Sequence, residues 1–178
     1  MTGPAGLLAL IDLQRIFADP TSSWAAPRFA EVLAPTRKLV AAFAPRVVFT
    51  RFVAPSVPQG RWVDYYQQWP FALQPPDSDD YQLVPEFAGE PTLDATTFGK
   101  WDALADLLQP GDRLVLAGVS TDCCVLSTAL AAADAGVHVQ VVADACAGAD
   151  DTTHANALAV MALYGPLVEV VTLADVVG

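Results

Sequence analysis

The stretch Gly118-Val119-Ser120-Thr121-Asp122-Cys123-Cys124-Val125 carries the residue types best suited to covalent chemistry in this chain. A thiol that gives up its proton can attack a carbonyl carbon, so a cysteine beside a proton acceptor is a candidate nucleophile. The stretch follows an apolar run at residues 113–117 that reads as a buried strand. It precedes residues 126–135, which read as a helix. Gly118 lets the backbone turn sharply between the two, and Thr121 or Asp122 is of the type that caps a helix start. A cysteine in the first helical turn sits at the positive end of the macrodipole, which favours thiolate over thiol. On these residues alone Cys123 and Cys124 are equivalent, and both read equally well as small buried side chains. A carboxylate candidate lies far upstream. Leu7 to Ile11 is a continuous apolar run ending at Asp12, and ligands collect at the carboxyl ends of strands in a parallel sheet.

The elements that must position these groups alternate along the chain. Strands are expected at residues 7–12, 46–52, 92–95, 113–117, 137–143 and 167–172. Helices are expected at 27–44, 101–108, 126–135 and from Asp150 or Asp151 to Tyr164, with Pro45 and Gly165-Pro166 as stops. That order predicts an α/β fold of three layers, with helices on both faces of a central, mostly parallel six-stranded sheet. Residues 1–178 are expected to form a single domain, since neither a linker nor a repeat interrupts them. Residues 53–89 differ in character. Pro55, Pro58, Pro70, Pro75, Pro76 and Pro85 break regular structure, while Trp62, Tyr65, Tyr66, Trp69, Phe71 and Tyr81 argue against disorder. An ordered excursion is expected there, lining a pocket or a subunit contact.

Composition narrows the function classes. The net charge of −11 and the lack of a basic run to neutralise phosphates argue against a nucleic-acid or anionic-membrane partner, and neither is expected. Only 16% of residues are charged while 53% are hydrophobic, a balance that predicts burial of apolar surface against a partner subunit. Three cysteines, two of them adjacent, do not make a disulfide framework, and a reducing, cytoplasmic compartment is expected. Met1 to Gly6 lacks the basic and apolar features of a signal peptide, and no run has the length of a membrane span.

The chain resembles the isochorismatase-like cysteine hydrolases, a family that includes nicotinamidases, N-carbamoylsarcosine amidases and ureidoacrylate-type amidohydrolases. Leu10-Ile11-Asp12-Leu13-Gln14 with Phe17 resembles its first-strand motif, and Gly118 to Val125 its nucleophile motif. Val141-Val142-Ala143-Asp144-Ala145 and Thr153-His154 resemble later landmarks. The resemblance implies an isochorismatase-like, Rossmann-like sheet and singles out Cys124, which precedes a valine, as the nucleophile. It also implies a cis peptide at Val119–Ser120 and an oxyanion hole made by the backbone N–H groups of Ser120 and Cys124. Asp12 would exchange protons with the thiol and the leaving amine, and a lysine would complete the set. The usual register for that lysine falls on Ala95, so Lys100 is expected to reach the site from a shifted position.

The implied activity is hydrolysis of a C–N bond in a small amide or carbamoyl compound through a thioester, without a cofactor. With the habit of that family added to the low charge, the expectation is a homo-oligomer, dimer or tetramer. Phe17, Trp62 and Tyr65 are expected to wall the substrate pocket. No metal is expected, because the Asp-x-His of the nicotinamidases is replaced by Thr50-Arg51-Phe52-Val53. His154 is expected to be structural, bonding near Asp144. Three other readings follow from the same residues. They are a vinyl-ether hydrolase that does not need the thiol, a degenerate binding subunit lacking the lysine, and a redox pair at Cys123-Cys124. The last is disfavoured by the strain of a vicinal disulfide.

Overall fold

The computed structural model describes residues 6–178; all but the last residue of the segment read above for a targeting signal lies outside that range. Six strands form one sheet: β1 (Leu7–Ile11), β2 (Val47–Phe52), β3 (Thr92–Ala95), β4 (Arg113–Val119), β5 (His138–Ala147) and β6 (Val168–Val171). Their order is β3-β2-β1-β4-β5-β6, and every pairing is parallel. Every residue of β1 is buried, as a strand covered on both faces requires.

Side-chain alternation divides the core into two layers. Leu8 and Leu10 of β1 face a cluster that includes Leu39 and Phe43 of α2 (Phe29–Phe43) and Val176 of α7 (Leu173–Val177). Leu7, Ala9 and Ile11 face the other cluster, with Leu104 of α4 (Trp101–Leu104), Ala129 and Ala132 of α5 (Leu126–Asp134), and Met161 of α6 (Asp151–Ala162). A four-residue α1 (Arg15–Ala18) follows β1.

The chain leaves β1 toward β2 on one side and later returns through β4 on the other. The crevice beyond the ends of β1 and β4 is therefore the point where strand order reverses, the usual ligand position in such sheets. Gly118 brings these two strand ends together. It pairs with Ile11, has φ of +119°, and would place a Cβ 2.2 Å from the Ile11 carbonyl oxygen.

Several expected elements differ in detail. The proline-rich excursion holds a helix, α3 (Trp62–Gln68), because Arg61 to Gln68 is an uninterrupted run between prolines; short 3₁₀ turns follow it. Strand β5 continues past Ala143 to Ala147. Its pairing with β4 shifts from Leu116–Val141 to Gly118–Cys146, and the irregularity takes Asp144 out of the strand-end position expected for it. Helix α6 begins with a capping box between Asp150 and Thr153 and ends at Ala162.

Candidate active site

Asp12 stands immediately after β1 with φ of 50°, a left-handed conformation that a non-glycine residue rarely adopts. Thr50, near the end of β2, fixes it from both sides. The Asp12 N–H donates to Thr50 Oγ1 at 3.3 Å, and the Thr50 hydroxyl donates to Asp12 Oδ1 at 2.8 Å.

Lys100 arrives from the loop between β3 and α4. Its side chain and that of Asp12 are both fully buried, with Nζ 3.0 Å from Asp12 Oδ2. The ammonium also donates to the carbonyls of Thr97 (2.7 Å) and Phe98 (3.1 Å) and lies 5.4 Å from the centroid of the Phe52 ring. Oδ2 has no other polar partner among the described residues, so the ion pair is what offsets its desolvation. Ala95, on the register implied by the resemblance, instead ends β3 opposite Phe52. The shifted lysine and the Asp12 carboxylate do meet.

Cys124 lies in a turn of π-helix, Thr121–Val125, that runs into α5. The peptide before Ser120 is cis. The N–H groups of Cys123 and Val125 both donate to the Ser120 carbonyl at 3.1 Å, and the Cys124 N–H takes no part in these bonds. Cys124 is 3% exposed, and its thiol feels both the Asp12 carboxylate and the Lys100 ammonium. Burial is the largest influence on that thiol and holds its pKa well above the ordinary cysteine range. The Asp12 charge acts in the same direction, and the Lys100 ammonium opposes both. The expected helix-start thiolate is thus replaced by a resting thiol, because desolvation outweighs the dipole of a single irregular turn.

The residues expected to cap this helix do other work. Thr121 Oγ1 meets His154 Nδ1 at 2.8 Å, and the Asp122 carboxylate accepts from the Ala149 N–H at 3.3 Å. His154 therefore ties α6 to the cysteine turn rather than bonding near Asp144, whose carboxylate accepts from the Leu173 N–H at 2.7 Å. Thr128, in the first turn of α5, donates to the Cys124 carbonyl (2.6 Å) and accepts the Lys100 N–H (2.9 Å). That hydroxyl joins the lysine loop to the cysteine turn.

A cavity of about 360 Å³ opens beside Cys124. Phe17 and Tyr65 line it, together with Trp24, Phe52, Trp69 and Phe98; Ser23, Ser120 and Cys123 supply polar atoms. Trp62 does not line it. Its ring packs against Tyr65 (5.2 Å between centroids) and Phe98 (5.4 Å), supporting two lining residues from behind. Trp24 was not singled out from sequence, yet its ring meets Phe17, Phe52, Tyr65, Trp69 and Phe71. Its only local signal is an aromatic placed just after a polar turn. Phe52 could have been found from its position at the end of a parallel strand. Gln14, fully buried, holds that strand end by accepting the Phe52 N–H and donating to the carbonyls of Phe52 and Tyr81.

The residues at the end of β2 offer no metal donor set. Thr50 is engaged with Asp12, and Arg51 makes a two-pronged pair with Asp94 of β3 at 2.9 and 2.7 Å. Among the described residues no three His, Cys, Asp or Glu side chains converge.

A family model described as Isochorismatase domain matches residues 6–175. The chain belongs to the isochorismatase family. Isochorismatase-family proteins are hydrolases, amidases among them. Comparison with curated proteins finds no match. Solved structures with the same fold include a cysteine hydrolase from Pseudomonas syringae (19% identity, 99% of this chain and 96% of that one, TM-score 0.78). An isochorismatase-like hydrolase from Alkaliphilus metalliredigens is 16% identical, with coverage of 97% and 96% and a TM-score of 0.75. A nicotinamidase from Bacillus subtilis is 19% identical, with coverage of 93% and 98% and a TM-score of 0.71. At these identities the isochorismatase-family likeness is one of fold. Among the described residues no helix is long and apolar enough to cross a membrane.

Proposed function

We propose that this isochorismatase-family protein is a cysteine amidohydrolase that cleaves a small amide or carbamoyl compound through a thioester on Cys124. The observation that carries the reading is the buried Lys100–Asp12 pair at 3.0 Å, with the Cys124 thiol beside the same carboxylate. In the first half-reaction Asp12 takes the thiol proton as sulfur attacks the amide carbon. The N–H groups of Ser120 and Cys124 receive the developing oxyanion, a role whose loss typically costs about 3–4 kcal/mol of barrier per donor. The C–N bond then breaks, and the proton on Asp12 passes to the departing nitrogen. In the second half-reaction a water gives Asp12 a proton while attacking the thioester, and the acid leaves as the thiol is restored. Lys100 holds the carboxylate in place through both steps.

Ammonia release from a panel of small amides tests this reading. The wild-type protein should release it, and Cys124→Ala should reduce the rate by about 100-fold or more. Activity that survives Cys124→Ala would point to chemistry that does not use the thiol, as in vinyl-ether hydrolysis.

A further inference from the structure

The cavity beside Cys124 is unusual for what its wall lacks. Six rings line it, those of Phe17, Trp24, Phe52, Tyr65, Trp69 and Phe98, and among the described residues no acidic, basic or histidine side chain does. The charges of the site are spent on each other behind that wall. The Lys100 ammonium faces Asp12 Oδ2 and two carbonyls, lies 5.4 Å from the centroid of the Phe52 ring and does not line the cavity. Arg28, in the segment after Trp24, is taken by Asp151 (2.5 and 2.8 Å) and Glu31 (3.2 Å). The charge near Cys123 is the negative Asp122, and the chain as a whole carries −11.

Resting on the amidohydrolase reading, we propose that the cavity selects uncharged amides with a bulky apolar acyl group and rejects acyl groups that bear a carboxylate. A carboxylate moved from water into this wall would lose its hydration without gaining a cation, and the field of an acidic protein opposes its approach. An apolar group gains by leaving water and is not repelled by that field. Each methylene buried contributes about 0.8 kcal/mol, and the rings are held by one another rather than by the ligand. Trp24 stacks on Phe17 at 6.0 Å and meets Phe71 edge-on at 5.3 Å, so the wall is preformed. At about 360 Å³ the space exceeds what an acetyl group fills.

Binding can be read without turnover. Trp24 and Trp69 line the cavity, so tryptophan fluorescence of the Cys124→Ala protein reports occupancy. Phenylacetamide, its para-carboxy derivative and acetamide form the series. Phenylacetamide should bind at least roughly tenfold more tightly than either of the others, and the wild-type kcat/KM for ammonia release should follow the same order. Ser23 is exposed at the cavity edge, and Ser23→Lys should narrow the gap between phenylacetamide and its carboxy derivative by supplying the missing cation. Equal or tighter binding of the carboxy derivative overturns the proposal, as does failure of phenylacetamide to saturate. An unchanged gap in Ser23→Lys overturns the electrostatic cause. Preference in Cys124→Ala without ammonia release by the wild type would sustain this inference and overturn the amidohydrolase reading. Ammonia release without the preference would do the reverse.

Discussion

Lys100 Nζ and Asp12 Oδ2 stand 3.0 Å apart with both side chains excluded from solvent, although Asp12 follows the central strand β1 and Lys100 follows the edge strand β3. Each charge is tolerable only in the presence of the other. Removing one leaves its partner buried and uncompensated, at a cost of about 3–5 kcal/mol. Lys100→Met should therefore lower unfolding stability in urea by that order and reduce amide turnover at least about 100-fold. The double variant Asp12→Asn/Lys100→Met should be less destabilised than the sum of the single changes, because it removes both charges. Strict additivity in that cycle would contradict the pair as described.

Thr128 acts through others. Its hydroxyl bonds the Cys124 carbonyl and the Lys100 N–H, and Thr128→Val leaves that buried N–H without a partner. A loss of about 1–3 kcal/mol is expected in stability. The kinetic signature should be a lower kcat with little change in KM, since Thr128 is absent from the cavity wall. Thr128→Ser keeps the hydroxyl and should restore most of the rate. A valine variant with unaltered kcat would remove Thr128 from any positioning role.

Gly118 is required twice over, by its φ of +119° and by the Ile11 carbonyl that a Cβ would strike. Gly118→Ala should destabilise the fold by about 2–5 kcal/mol, from the sum of the conformational and overpacking costs. Because the clash falls on the last residue before Asp12, activity should fall further than stability alone explains at temperatures where the variant is still folded. Circular dichroism melting and ammonia release on the same sample would separate the two.

The strand ends were legible in the sequence because continuous apolar runs such as Leu7–Ile11 require burial on both faces, and a polar residue closes them. Asp12 and the cysteine turn sit at two such closures. The longer-range relationships were not legible. Thr50 and Thr128 are ordinary threonines until the sheet brings one to Asp12 and the helix brings the other to Lys100. Trp24 gains its role from five rings scattered over residues 17–71. Helix α3 was hidden by the prolines around it. The state of Cys124 was misread because a helix-start rule is local, whereas desolvation depends on everything packed around the sulfur. His154 found Thr121 through tertiary packing that no spacing encodes.

Alkaline stability follows from the buried thiols. Burial pushes the Cys146 pKa from 9.0 up to about 12, and the same cause raises Cys124. The unfolded chain gives up these protons first as pH rises. Their contribution is therefore complete below about pH 9 and is lost progressively as pH climbs toward the folded values. Between about pH 8 and about pH 10.5 the wild type should lose roughly 2 kcal/mol more than Cys146→Ala, from the Cys146 shift alone. Urea midpoints at the two pH values measure it, and parallel losses would show that Cys146 ionises normally in the folded state.

Sulfur chemistry at Cys124, rather than at its exposed neighbour Cys123, is open to direct trapping. An activated ester of phenylacetic acid, mixed with the protein and quenched in acid, should leave an acyl group that peptide mass spectrometry can place. The thioester is expected on Cys124, formed in the wild type and lost in Asp12→Asn. An acyl group found on Cys123, or shared between the two thiols without regard to Asp12, would contradict it.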